Sequence, residues 1–168
     1  MTKLLFVCLG NICRSPAAEN IMNHLVAQAG MSDRIECDSA GTASYHTGNP
    51  PDRRMRAAAA NRDLPMVGKA RQFTKADFTA FDLILAMDRE NYHNILALVG
   101  SAAPSENLQE QYRDKVKLMC DFATEHLDKE VPDPYYGGAE GFDYVIDLLL
   151  DACSGLLLEL ETTAAKKV

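Results

Sequence analysis

The chain has 168 residues, 47% of them apolar, and carries a net charge of −7. That length suits one compact domain spanning residues 1–168 with an ordinary hydrophobic core. The negative charge excludes a general attraction to nucleic acid or to an anionic membrane surface, and no stretch approaches the ~20 apolar residues that cross a bilayer.

Residues 3–8, Lys-Leu-Leu-Phe-Val-Cys, are a short apolar run closing at a glycine-containing turn, the pattern of a buried parallel strand. Ser15-Pro16 reads as a helix start, with serine as N-cap and proline at the first helical position. Ile21, Met22, Leu25, Val26 and Ala29 repeat at helical spacing, and Gly30 supplies the stop. Residues 34–39 read as a second strand, and residues 40–52, rich in turn formers, as a loop. A helix is predicted over 53–61, where Arg53, Arg54 and Arg56 form a solvated face. Thr74 caps a short helix running to Phe78. Residues 81–87 are the clearest strand, and Asp88 caps a helix reaching about Leu98. Residues 100–106 are loop, and 115–120 a fourth strand. Residues 130–138, Glu-Val-Pro-Asp-Pro-Tyr-Tyr-Gly-Gly, hold two prolines and two glycines and cannot be regular. A final helix over 139–162 carries an apolar stripe from Phe142 to Leu160. Strands alternating with helices imply an α/β three-layer sandwich, a parallel sheet covered on both faces.

The five cysteines are Cys8, Cys13, Cys37, Cys120 and Cys153. They have no zinc-like spacing, and their odd number argues against a disulfide framework. The N-terminal apolar run is too short for a signal peptide, so the reading is a cytoplasmic protein with reduced thiols and no bound metal. Cys37, Cys120 and Cys153 fall in strand or helix patterns and read as core. The histidines, His24, His46, His93 and His126, are scattered; exposed non-ligand positions are expected, with only His46 near a site.

Chemistry concentrates in Cys8-Leu9-Gly10-Asn11-Ile12-Cys13-Arg14-Ser15, between the first strand and the first helix, where open α/β sheets hold ligands. Backbone amides in such a turn form an anion nest, and the helix N-terminus adds its dipole. Gly10 and Asn11 tolerate the left-handed angles a tight loop requires. Arg14 can chelate two oxygens of an oxyanion with its planar fork. Beside that cation and helix terminus, Cys8 is placed as a thiolate nucleophile, and Ser15 can donate a hydrogen bond to its sulfur. The leaving oxygen needs a proton. Asp133, fixed between two prolines, is the candidate acid, held protonated by nearby negative charge while Cys8 is ionised. Cys13 has two open readings: a redox partner trapping an oxidised Cys8 as a disulfide, or packing beneath the loop.

These residues resemble a known family. Val-Cys-Leu-Gly-Asn-Ile-Cys-Arg-Ser-Pro at 7–16, with Asp-Pro-Tyr-Tyr-Gly-Gly at 133–138, is similar to the low-molecular-weight protein-tyrosine phosphatases, and the likeness covers nearly the whole chain. It implies a four-stranded parallel sheet with the phosphate loop between strand 1 and helix 1. It implies hydrolysis of phosphotyrosine proteins and small aryl phosphates through a cysteinyl-phosphate, releasing inorganic phosphate, with no cofactor. Cys8 would be nucleophile, Arg14 phosphate clamp and Asp133 acid then base. Leu9, Gly10, Asn11, Ile12, Cys13 and Ser15 would form the phosphate cradle, Asn11 and Ser39 keeping its shape. Leu9, Ile12, Tyr45 and Tyr135 would line the slot for the aromatic ring. The protein would act as a monomer open to weak self-association. Two departures stand out: Gly68 occupies a position where many members carry a histidine that braces the loop, and residues 46–47, His-Thr, and 53–56, Arg-Arg-Met-Arg, lie in segments that vary and are expected to shape the pocket rim.

Two rival functions share parts of this pattern. A thioredoxin-coupled arsenate reductase uses the same fold and loop, but needs further cysteines to relay a disulfide, and the segment after the third strand has none. A non-catalytic phosphate-binding regulator would lack the cysteine, arginine or aspartate. Turnover of para-nitrophenyl phosphate, set against arsenate turnover coupled to thioredoxin, separates the enzymes; the expected result is the first without the second.

Overall fold

The computed structural model describes residues 1–166. Strand β1, Thr2–Cys8, holds four consecutive residues with no exposure at all, Leu4 to Val7. A strand buried on both faces reads as a continuous apolar run because each residue has a core to enter. Leu4, Phe6 and Cys8 face one hydrophobic cluster, while Leu5 and Val7 face another. The period-two alternation of the backbone divides them.

β1 pairs in parallel with β2, Ile35–Gly41, on one side and β3, Leu83–Ala86, on the other; β3 pairs with β4, Val116–Leu118. The order is therefore β2-β1-β3-β4, the four-stranded parallel sheet expected. Helices α1, Arg14–Gln28, α2, Arg53–Ala60, and α7, Ala139–Ala165, cover the face that receives Leu4 and Phe6. The short α3, Asp77–Ala80, with α4, Arg89–Ala97, α5, Val99–Ala102, and α6, Glu106–Asp114, covers the other. Among the described residues no helix is long and apolar enough to cross a membrane.

Several boundaries differ from expectation. α1 begins at Arg14 with Cys13 at its N-cap, so Ser15 lies inside the helix and caps nothing. The expected Thr74 helix starts at Asp77; Asp77 folds back to accept from the Thr74 amide at 2.7 Å, which makes a turn of 74–76. β4 stops at Leu118 and the chain continues as a 3-10 turn, Met119–Phe122. α6 was not foreseen, and part of the expected 100–106 loop is α5. Asp88 does cap α4, accepting from the Asn91 amide at 2.7 Å.

Parallel strands deliver their C-terminal ends to one edge of the sheet. Cys8 ends β1, and Asp88 lies just past β3. The irregular segment after β4 is tied to the same edge where the Val131 amide donates to the Met87 carbonyl at 2.8 Å. Upstream of it, residues 122–126 are pinned to α7. Gly155 lets that helix approach so closely that a Cβ there would sit 2.0 Å from the Phe122 carbonyl oxygen. Asp151 accepts from the amides of Thr124, Glu125 and His126 and faces the His126 ring at 3.0 Å, so His126 is half-buried rather than free on the surface. Gly155→Ala is accordingly expected to cost at least about 2 kcal/mol. Urea unfolding should show a lower midpoint at an unchanged slope.

Candidate active site

The loop 9–13 folds around the sulfur of Cys8. Asn11, at φ 56°, holds the left-handed conformation anticipated for it, and its backbone amide donates to Cys8 Sγ at 3.3 Å. Left-handed angles cost a non-glycine residue about 1 kcal/mol, and here a buried side-chain network holds the residue in place. Asn11 Nδ2 donates to Ser15 Oγ and to Ser39 Oγ, each at 2.9 Å, and Oδ1 accepts from the Arg71 amide at 2.9 Å. The Ser39 hydroxyl in turn donates a hydrogen bond to the carboxylate of Glu19. Burial raises the Glu19 pKa, the neighbouring Asp38 adds to that, and the bond from Ser39 opposes it.

Ser15 Oγ lies 3.0 Å from Cys8 Sγ and 3.3 Å from the Ala40 carbonyl. A hydroxyl has one proton. With the Asn11 side-chain amide already donating to its oxygen, that proton has two acceptors within reach, the Cys8 sulfur and the Ala40 carbonyl.

Arg14 is only 3% exposed. Nη1 donates to Asp88 Oδ2 and, at 3.1 Å, to the Val131 carbonyl; Nη2 reaches Asp133 Oδ2 at 3.4 Å. Burial alone would lower its pKa, but Cys8, Asp88 and Asp133 outweigh that, and the net shift is upward. Asp133 is far more exposed than Asp88, 41% against 21%, and its contact is the longer. It is therefore the partner that an arriving oxyanion can displace. Its other oxygen accepts from the Tyr135 amide at 3.1 Å, an Asx turn that aims the carboxylate.

A cavity of about 300 Å³ opens over this cluster, lined by Cys8, Leu9, Gly10, Ile12, Cys13, Arg14, Tyr45, His46, Asp133, Tyr135 and Tyr136. Of the residues expected to form the cradle or the slot, Leu9, Gly10, Ile12, Cys13, Tyr45 and Tyr135 line it, whereas Asn11 and Ser15 are buried and do not. Of the scattered histidines, His46 alone lines this cavity, its ring edge-on to Tyr45 at 5.0 Å. Ser39 lies beneath the loop. The Asp88 carboxylate on Arg14, the Val131 carbonyl and the Arg71 amide escaped the sequence reading because each lies 60 or more residues from its partner in the chain.

All five cysteines are free thiols. Burial, reinforced by Asp52, Cys8 and Asp133, pushes the Cys13 thiol up to about 12, and burial does the same to Cys37 and Cys120. A thiol raised that far stays protonated at neutral pH and reacts poorly. Iodoacetamide at neutral pH is expected to label Cys8 first, and added phosphate to protect it. Peptide mass spectrometry reads this out; labelling of Cys13 as fast as Cys8 would contradict the assignment.

The profile of the family described as low molecular weight phosphotyrosine protein phosphatase matches residues 3–167. A Synechocystis protein, provisionally named a low molecular weight protein-tyrosine-phosphatase, is 58% identical over 158 residues, covering 94% of this chain and 96% of that one. The low molecular weight phosphotyrosine protein phosphatase of Homo sapiens is 36% identical over 154 residues, 92% of each chain. The crystal structure of a protein tyrosine phosphatase from Entamoeba histolytica superposes with a TM-score of 0.89 at 46% identity, covering 98% of this chain and 99% of that one.

Proposed function

Because this chain belongs to the low molecular weight phosphotyrosine protein phosphatase family, and is thereby a hydrolase of phosphotyrosine, we propose that it works through a cysteinyl-phosphate on Cys8. In the first half-reaction the sulfur attacks phosphorus. The S–P bond forms, the bond from phosphorus to the aryl oxygen breaks, and Asp133 passes its proton to that oxygen. In the second, water attacks phosphorus and gives a proton back to Asp133. The S–P bond breaks, inorganic phosphate leaves, and Cys8 is again a thiolate.

The observation that carries this reading is the sulfur itself: it lies 3.0 Å from the Ser15 hydroxyl and 3.3 Å from the Asn11 amide, at a cavity that Arg14 and Asp133 also line. The fork of Arg14 is suited to two equatorial oxygens of the phosphoryl group and to the charge that develops on them. Loop amides of Leu9 to Cys13 would take the remaining oxygen lone pairs. Leu9, Ile12, Tyr45 and Tyr135 would flank the substrate ring. Asn11 and Ser39 would keep the cradle in shape, and Ser15 would stabilise the departing thiolate in the second step.

The same reading makes the chain a single catalytic domain, monomeric and cytoplasmic, with phosphotyrosine proteins as partners. Cys13 is the residue that would trap an oxidised Cys8. With its thiol pushed up to about 12, that trapping would be slow at neutral pH, and mass spectrometry after mild peroxide would show either the Cys8–Cys13 link or overoxidised Cys8.

Cys8→Ser is expected to abolish turnover, and turnover retained there would overthrow the covalent route. Asp133→Ala should lose about 10²-fold or more in kcat/KM on phenyl phosphate, and should retain bound substrate in a pulldown. The rate of the unaltered enzyme is expected to follow a bell-shaped pH profile, because one step needs a base-like nucleophile and the other an acid; a flat profile would remove Asp133 as the acid.

A further inference from the structure

Arg54 was expected on a solvated helix face, and its side chain is indeed partly open to water, yet each of its three guanidinium nitrogens makes a hydrogen bond. Nε and Nη2 grip the two oxygens of Asp52 at 3.1 and 3.0 Å, and Nη1 donates to the Tyr135 carbonyl at 2.9 Å. The guanidinium also lies over the rings of Tyr135 and Phe142, 5.0 and 4.8 Å from their centroids.

Asp52 in turn belongs to the phosphate loop's surroundings. It caps α2 through the Arg54 amide, and its own amide donates to the Ile12 carbonyl at 2.7 Å. A continuous strut therefore runs from Ile12 through Asp52 and Arg54 to Tyr135, and the Tyr135 amide holds Asp133 Oδ1. Asp133 sits on a segment with no regular hydrogen-bonded ladder, between Pro132 and Pro134. Proline stiffens the segment locally but cannot fix its distance from the loop.

We propose that Arg54 is a positioning residue for proton transfer: it latches the 133–136 segment to the phosphate loop so that the Asp133 carboxyl meets the leaving oxygen. The proposal rests on Asp133 being the acid. Arginine suits the position because its planar fork serves both Asp52 oxygens and a carbonyl at once, whereas a lysine ammonium has no such geometry. Misplacing a catalytic group by about 1 Å can cost as much as 10²-fold in rate.

The test compares two substrates on Arg54→Ala, Arg54→Lys, Asp133→Ala and the unaltered enzyme. Phenyl phosphate releases a phenol with a pKa of about 10, like tyrosine, and needs the acid. 2,4-Dinitrophenyl phosphate releases a far better leaving group and does not. The expected result for Arg54→Ala is a loss of about tenfold in kcat/KM on phenyl phosphate, with less than about twofold on the dinitrophenyl ester. Arg54→Lys should behave like Arg54→Ala. Equal losses on both esters would show a loosened pocket, and full recovery by lysine would show a simple effect of charge; either overturns the latch. If Asp133→Ala is selective for phenyl phosphate while Arg54→Ala is not, the latch fails and the acid stands. If Asp133→Ala shows no selectivity, the acid assignment and the latch fall together. Thermal melts of each variant confirm that the comparison is made on folded protein.

Discussion

A guanidinium that is 3% exposed, set beside a sulfur, is the constraint around which this molecule is arranged. Removing a charged group from water costs several kcal/mol unless partners replace its hydration. Arg14 finds them in the Asp88 carboxylate, the Val131 carbonyl and Asp133. Asp88 and Val131 come from the ends of strands or from segments tied to them, so they are fixed. Asp133 comes from an irregular segment and makes the longest of the contacts, 3.4 Å. The cation is thus held in place by two partners and left partly unsatisfied by the third. That arrangement lets a chain of net charge −7 offer a local site for an anion: the positive charge is buried, its field is little screened, and one of its two carboxylates, Asp133, holds it only loosely.

Positioning the sulfur demands a second device, because strand ends and helix starts leave loose backbone between them. Asn11 supplies it. Both of its side-chain N–H groups and its carbonyl oxygen are used, and the network runs outward to Ser39, Glu19 and the Arg71 backbone. Arg71 is itself clamped by Asp38 and Asp77. A fully satisfied buried network specifies one geometry, whereas a partly satisfied one would cost the desolvation of each orphaned group. The loop that meets the anion is therefore preorganised, the condition under which aligned dipoles are worth most.

Legibility in the sequence followed the range of the interactions. Cys8 to Ser15 could be read because the turn, the dipole and the fork are all local, and Asp133 because its flanking prolines isolate it. Ser15 was misread as a helix cap: serine before proline is a common start, but here the helix begins at Arg14 and the hydroxyl serves the sulfur. Helix α6 was missed because its sequence, Glu-Asn-Leu-Gln-Glu-Gln-Tyr-Arg-Asp, offers only Leu108 and Tyr112 to the core, too short an apolar stripe to read. Arg54 could be read as a solvated or rim residue but not as a link to Tyr135, which is 81 positions away. The contacts of Arg14 with Asp88 and Val131 escaped for the same reason.

Gly68 illustrates how the brace of the loop can be rebuilt. At the position where the family resemblance leads one to expect a histidine, this chain has a glycine at φ 115° with open space where a Cβ would project. An imidazole from there is not needed to complete Asn11, since Ser15, Ser39 and the Arg71 amide already occupy its donors and acceptor. The backbone around Gly68 still has to be held against α1, and Asn20 does so, exchanging a pair of hydrogen bonds with the Val67 main chain at 3.1 Å each. Glu19, the preceding residue of the helix, anchors Ser39. Two adjacent polar residues of α1 thus hold the strand side and the loop side of the cradle together, one through a side chain and one through backbone. Rigidity here resides in the helix whose N-terminus opens at the cavity, so the element that would take the phosphate also fixes the shape of its site.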